Sequence, residues 1–133
     1  MGKYVKWITH KGVRILFVNA VGLREAEYIA ALEEMKQELL KGRKSPPVLI
    51  DLSKWEMTAA SINKAKEVTA TLKNAGVPFG PNALVGMSGL QKSVAALSVK
   101  YGVCYAPNIE EANEWLVKEE EKRRQQEEKR PGQ

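Results

Sequence analysis

The sequence predicts an α/β fold in which a mixed, mostly parallel five-stranded sheet is covered by four helices. First, two β-rich runs flank a short glycine-containing turn near the start of the chain. Second, short apolar runs then alternate with segments of helical periodicity, which implies parallel strands joined by right-handed crossovers. Third, a length of 133 residues with 44% hydrophobic and 28% charged residues fits one globular domain.

The first elements are predicted to be a β-hairpin, a helix and a buried strand. Residues 4–9 and 13–19 are rich in branched and aromatic side chains, and the turn between them contains Gly12. Residues 23–41 then show helical spacing. Residues 48–52 form an apolar run that is typical of a strand inside a sheet. The apolar face of the first helix consists of Leu32, Met35 and Leu39.

The remaining elements are predicted to be three helices and two short strands. Residues 58–76 form a helix, and residues 83–87 and 103–106 form the strands. One further helix lies between these strands, and the last follows Asn108. The predicted inner positions of the three helices are Ile62, Ala65, Thr69 and Leu72, then Leu90, Val94, Leu97 and Tyr101, and finally Ala112, Trp115 and Leu116.

The domain is predicted to span residues 1–118. Residues 119–133 are almost entirely charged or polar, so they offer nothing apolar for packing. We expect a charged tail that is disordered, or helical through i,i+4 pairs such as Glu119 with Arg123 and Glu120 with Arg124.

The composition argues against several classes of partner and site. The formal net charge is +5, yet no segment has the dense basic stripe with interleaved aromatic residues expected of a specific nucleic-acid groove. No apolar run is long enough to span a bilayer, and no signal-peptide pattern opens the chain. One cysteine and one histidine leave no disulfide framework and no metal site. We expect a cytoplasmic protein without a cofactor.

No set of catalytic residues is evident. Residues 86–93 follow a predicted strand like a phosphate-binding loop, but Gln91 stands where that motif needs a glycine before its lysine. The same segment lacks the last glycine of a nucleophile elbow, because Leu90 takes its place. His10 lies in a hairpin turn and provides no convincing base for a triad. We therefore expect a protein that is not an enzyme.

A small-anion site is nonetheless predicted in this segment. Free backbone amides at the helix start can bind an anion through the helix dipole. Between residues 58 and 104 the chain has five lysines against one acidic residue, which favours anions. The residues predicted for an anionic or lipid-like ligand are Gly86, Ser88, Gly89 and Lys92.

Residues 51–62 predict a strand end, a loop and a helix start. Hydroxyl groups at Thr58 and Ser61 favour capping of the helix, but a phosphate at either position would also be stabilised by the helix dipole. Loops that follow parallel strands share one edge of the sheet, where α/β folds usually bind ligands. We therefore expect this loop to lie beside the turn at Gly86.

The same loop resembles the STAS domains, the anti-sigma-factor antagonists and their relatives. Asp51-Leu52-Ser53 matches the first part of their strand–loop–helix signature, and the inferred order of elements is that of the family. The phosphorylated serine of the family falls on Ala60, while Ser61 retains a hydroxyl one residue further on. Residues 109–116 resemble divergent SpoIIAA-like proteins of bacteria, which are related in shape to lipid-binding SEC14 domains.

The resemblance implies a non-catalytic regulatory or protein-interaction module, in signalling of the anti-sigma-factor type, without the usual phosphoacceptor. A protein partner would bind at Ser53, Thr58, Ser61 and Lys64. The alternative is a binder of a small anionic or lipid-like ligand at the same edge of the sheet. Association into a homodimer is compatible with so small a chain.

Overall fold

The computed structural model describes residues 2–42, 45–77, 80–87 and 103–128. Within these ranges the elements follow the order ββαβαββα. The strands are β1 (Val5–His10), β2 (Val13–Asn19), β3 (Val48–Asp51), β4 (Asn82–Val85) and β5 (Val103–Ala106). The helices are α1 (Glu25–Lys41), α2 (Ala59–Asn74) and α3 (Ile109–Glu128).

The five strands form one sheet in the order β1-β2-β3-β4-β5. β1 and β2 are antiparallel and are joined by Lys11 and Gly12, both with a left-handed backbone, as a two-residue hairpin turn requires. All other neighbours are parallel, so the predicted mixed, mostly parallel sheet is confirmed. One row across the carboxyl ends of the parallel strands contains Asn19, Asp51, Val85 and Ala106.

Helices pack against both faces of the sheet. Alternate residues of β2 point to opposite faces, so that Leu16 and Val18 join the core under α1 and α2 while Ile15 joins the core under α3. α3 contributes Ala112 and Leu116, both fully buried. The buried residues of α1 and α2 on the other face include Leu32, Met35, Leu39, Val68 and Leu72.

The described helices lie where the sequence predicts helices, but the residues that they bury differ in part. The predicted helix that contains Leu90 lies outside the described residues. α2 turns a different line of residues inward, since Ser61 is 0% exposed whereas the predicted inner residue Thr69 is exposed. Ser61 tolerates burial because its hydroxyl is hydrogen-bonded within the first turn of the helix.

The last helix crosses residue 118 without a break and continues to Glu128. The predicted i,i+4 pairing is wrong, because the ion pairs here join residues three apart. Arg123 contacts Glu120 at 3.0 Å and also donates from Nη1 to the carbonyl oxygen of Ser45 at 2.8 Å. This second contact joins α3 to the segment that precedes β3.

Candidate functional site

The carboxyl ends of β2, β3 and β4 lead into three loops that we call the rim, which comprises residues 20–24, 52–58 and 86–87. Backbone hydrogen bonds join these loops to their neighbouring strands and to one another. The N–H of Leu52 donates to the carbonyl of Val85 at 2.7 Å, and the N–H of Gly22 donates to the carbonyl of Ser53 at 2.8 Å. The rim is therefore a continuous surface held in place by its main chain.

Ser53 and Gly86 bring the second and third rim loops into contact. Oδ1 of Asp51 accepts hydrogen bonds from the Ser53 backbone N–H at 3.0 Å and from its hydroxyl at 2.7 Å, which turns the chain away from β3. Gly86 has φ +82° and lies so close that a β-carbon there would be 2.7 Å from Ser53 Cα. Only glycine fits this approach without strain.

Lys54 also adopts a left-handed backbone, with φ +58°, although it is not a glycine. Such a conformation costs about 1 kcal/mol for an ordinary residue. Its side chain is exposed, as is that of Glu56, whereas the neighbouring Trp55 is buried against Tyr28 with the ring centroids 4.7 Å apart. The loop thus buries an aromatic anchor and displays a charge of each sign.

Thr58 and Ser61 form a reciprocal cap at the start of α2. Thr58 Oγ1 accepts from the N–H of Ser61 at 3.1 Å, and Ser61 Oγ accepts from the N–H of Thr58 at 2.9 Å. The Ser61 hydroxyl also donates to the Thr58 carbonyl at 2.7 Å. Both hydroxyls therefore cap the helix, with Thr58 half-exposed at the rim and Ser61 fully buried beneath it.

Lys64 connects the two helices that cover this face of the sheet. Its ammonium lies 2.9 Å from Glu33 of α1 and 3.3 Å from Glu67, and its side chain is only 15% exposed. Hydrogen bonds from Lys36 first, and then from Lys64, lower the pKa of Glu33 from 4.5 to about 2. The bond to Glu33 in turn raises the pKa of Lys64. The charge predicted to face a partner is instead neutralised between α1 and α2.

The structure unites part of the predicted site. Ser53, Thr58 and Gly86 lie at the rim, and Ser61 lies directly below it. The other residues predicted to bind an anion, Ser88, Gly89 and Lys92, lie outside the described residues.

Sequence reasoning missed the first rim loop. Val21 lies at its tip and is 42% exposed, which makes it the one exposed large hydrophobic side chain among the described residues. The signal available was Gly22, three residues after the predicted strand at residues 13–19, since a glycine near a strand end often marks a turn.

Two shallow, open concavities of the described chain lie away from the rim. One, of about 490 Å³, runs along α3 beside Glu111 and Trp115. The other, of about 390 Å³, lies between the N-terminal segment and α1, beside Val5 and Ala30. Across the same described ranges, no group of three or more histidine, cysteine or acidic side chains is placed to hold a metal ion. No helix there is long and apolar enough to cross a membrane.

Comparison with known proteins identifies the fold. No family model matches the chain, and no curated protein matches it. A crystal structure of an uncharacterised protein of the DUF3478 family from Shewanella loihica PV-4, with a SpoIIAA-like fold, matches with a TM-score of 0.64. The two sequences are 20% identical, and the match covers 84% of this chain and 91% of that one. This chain therefore has a SpoIIAA-like fold, as its resemblance to the STAS domains implied.

Proposed function

We propose that this protein is a non-catalytic module that binds a protein partner through the rim. The observation that carries the proposal is the main-chain bonding of the rim loops, from Gly22 to Ser53 of the next loop and from Leu52 to Val85 at the end of β4. Association is weakened when loops must be ordered on binding, so a surface that is already fixed by its backbone favours a stable complex. The proposal includes a cytoplasmic location, in keeping with the single cysteine.

The side chains displayed by the rim fit a protein surface better than a small molecule. Exposed Val21 provides an apolar contact, and Lys54 and Glu56 provide charges of both signs near it. An apolar centre within a polar border is usual at protein interfaces. The anionic or lipid-like ligand stays an alternative prediction, because most of its predicted residues lie outside the described part of the chain.

The proposed binding is constitutive and does not depend on phosphorylation. The position of the family phosphoacceptor is occupied by Ala60, and the hydroxyl of Ser61 is buried and bonded to Thr58. Phosphopeptide mapping of the protein from cells grown under varied conditions should find no phosphate at Ser61 or Thr58. Phosphate at either residue would contradict constitutive binding while leaving the rim as the binding surface.

Site-specific photo-cross-linking in cells tests the rim. A photoreactive residue in place of Lys54 should give a defined protein adduct, because that position is exposed on the rim. The matched control is the same residue in place of Lys66, which is exposed on the outer side of α2. Equal adducts at the two positions, or none at Lys54 under any growth condition, would refute the proposal.

A binding measurement with the recovered partner completes the test. Val21→Arg should weaken the complex by more than about tenfold, because the apolar contact is replaced by a charge at the interface. The variant should fold normally, since Val21 is exposed. Lys66→Glu should change the dissociation constant by less than about twofold.

A further inference from the structure

The β1–β2 hairpin and the segment before it carry three cations outside the ion pairs of the described chain, whereas Lys11 is paired with Glu114. No acidic residue precedes Glu25 in the sequence, so the charged side chains of the hairpin are all basic. Lys3, Lys6 and Arg14 are exposed, and no carboxylate among the described residues forms an ion pair with them. We call the free side of β1 with these three cations the basic edge.

Each of these cations lies over an aromatic ring. Lys3 is 5.4 Å from the ring centroid of Tyr4, Lys6 is 5.6 Å from that of Phe17, and the Arg14 guanidinium is 4.7 Å from that of Trp7. The cations are thereby held in place along the hairpin while their charge stays available to a partner. The same contacts cover the ring faces on which nucleic-acid bases would stack.

Among the described residues, no strand pairs with the outer side of the β1 backbone. β1 is the first strand in the sheet order, and β2 is its one neighbour in the described chain. The N–H of Asn19 donates to the carbonyl of Tyr4, and hydrogen-bonded pairs alternate along antiparallel strands. This alternation turns the N–H and C=O groups of Val5, Trp7 and Thr9 away from β2. These three residues could therefore form backbone hydrogen bonds with an extended chain placed along the outer side of β1.

The one cation of β1 itself, Lys6, lies on one face of the sheet, and the Arg14 cation of β2 lies on the other. Lys6 lies opposite Phe17 on the face covered by α3, whereas Arg14 lies over Trp7 on the face covered by α1 and α2. An added β-strand presents alternate side chains to the two faces and so contacts both. A second copy of β1 is disfavoured, because it would place lysine beside lysine.

We propose that the basic edge binds an extended acidic segment of a partner protein by β-strand addition. Glu38 of α1 lies over the edge on one face and is already bound to Trp7 Nε1 at 2.9 Å. The acidic side chains of the added strand therefore lie on the opposite face, beside Lys6, and its uncharged side chains lie on the α1 side. This surface is separate from the rim, so either proposal can fail without the other.

An NMR titration of the full chain with a hexapeptide that alternates glutamate and threonine tests the proposal. Amide hydrogen exchange at Val5, Trp7 and Thr9 should slow about tenfold when the peptide is present at ten times its dissociation constant. A peptide with lysine in place of each glutamate should cause no slowing. Absence of binding by the acidic peptide at low salt would overturn the proposal.

Variants separate strand addition from simple charge attraction. Lys6→Glu should weaken the acidic peptide about tenfold, whereas Lys66→Glu on α2 should weaken it less than about twofold. Thr9→Pro removes an outward N–H and should abolish binding, because proline is tolerated on an edge strand but cannot donate. If that variant does not fold, the exchange pattern of the wild-type amides still decides. Binding without slowed exchange at these amides overturns strand addition.

A competing class of partner is tested in the same titration. A single-stranded oligothymidylate of matched charge should bind more weakly than the acidic peptide, because it carries the same sign of charge but cannot pair with the strand backbone. Tighter binding of the oligonucleotide, with shifts at the Trp7 and Phe17 rings, would overturn the proposal in favour of nucleic acid.

Discussion

The rim and the basic edge belong to the same sheet but are built in opposite ways. At the rim, backbone groups of neighbouring loops are paired with one another, as between Gly22 and Ser53, and the exposed charges are of both signs. At the basic edge, the outward backbone of β1 has no partner among the described residues, and Lys3, Lys6 and Arg14 are exposed cations outside the ion pairs of that part of the chain. A surface of the first kind distinguishes partners by shape, whereas one of the second kind distinguishes them by charge and by extended conformation.

Two glycines with the same backbone angle provide the strongest test of this contrast. Gly86 at the rim and Gly12 in the hairpin turn have φ +82° and +80°, but only at Gly86 would a β-carbon meet other atoms. Gly86→Ala should lower the free energy of unfolding by about 3 kcal/mol, because strain and overlap with Ser53 add together. Gly12→Ala should lower it by about 1 kcal/mol, from strain alone. Urea unfolding of both variants makes the comparison, and equal losses would show that the rim is not tightly packed.

The buried cap below the rim should have the next largest effect. Ser61→Ala removes a buried hydroxyl and leaves the partly buried Thr58 N–H without its acceptor, so we expect a loss of about 2 kcal/mol in the free energy of unfolding. Thr69→Ala on the exposed side of the same helix should cost less than about 0.5 kcal/mol. Thermal or urea unfolding measures both. A Ser61→Ala loss as small as that of Thr69→Ala would mean that the rim does not depend on its cap.

Acid should loosen the hairpin before it loosens the rim. Glu114 of α3 contacts His10 Nε2 and Lys11 Nζ, each at 2.8 Å. These contacts, Lys11 first and then His10, lower the pKa of Glu114 from 4.5 to about 2. Because this pKa is depressed in the folded state, the stabilisation is present above about pH 4.5 and is lost as the pH falls towards 2. At the rim, the bonds from Gly22 to Ser53 and from Leu52 to Val85 join backbone groups, which do not titrate.

Amide-exchange protection factors between pH 6 and pH 3 measure this difference. Protection around Gly12 should fall with acidification more than protection at Leu52 and Gly22. Glu114→Gln should remove the extra fall at the hairpin, whereas Glu110→Gln, a matched change on the same helix, should leave it intact. A parallel fall at both surfaces would show that one opening reaction governs them.

The sheet was predictable from local sequence, because each of its determinants is short-range. The glycine turn at Gly12 specifies the hairpin, and the apolar run at residues 48–52, interrupted only by Asp51, marks a strand buried on both faces. Alternation with helical segments then leaves parallel pairing as the one compact arrangement. These features do not depend on knowing which distant residues meet.

The candidate site was only partly predictable, because its residues are defined by distant partners. Lys64 was expected on the solvent side of its helix, but Glu33, 31 positions earlier, draws it into the contact between α1 and α2. Capping by Ser61 was expected, but its burial was not, and its two side-chain bonds to Thr58 satisfy its hydroxyl in that buried position. Valine is a common core residue, so its type alone does not predict that Val21 is exposed. Its place in the proposed site depends on the neighbouring rim loop.

Through the hydrogen bond from Arg123 to Ser45, the charged end of α3 helps to hold that helix against the start of β3. A chain shortened at residue 118, where the composition turns polar, would lose the guanidinium that spans from the last helix to the entry of β3. The carbonyl of Ser45 would then be left to water, and the end of the sheet opposite the rim would lose its brace. A highly hydrophilic segment can thus help to hold a fold together. Here one long side chain joins two elements through a hydrogen bond, a role that apolar contacts usually have.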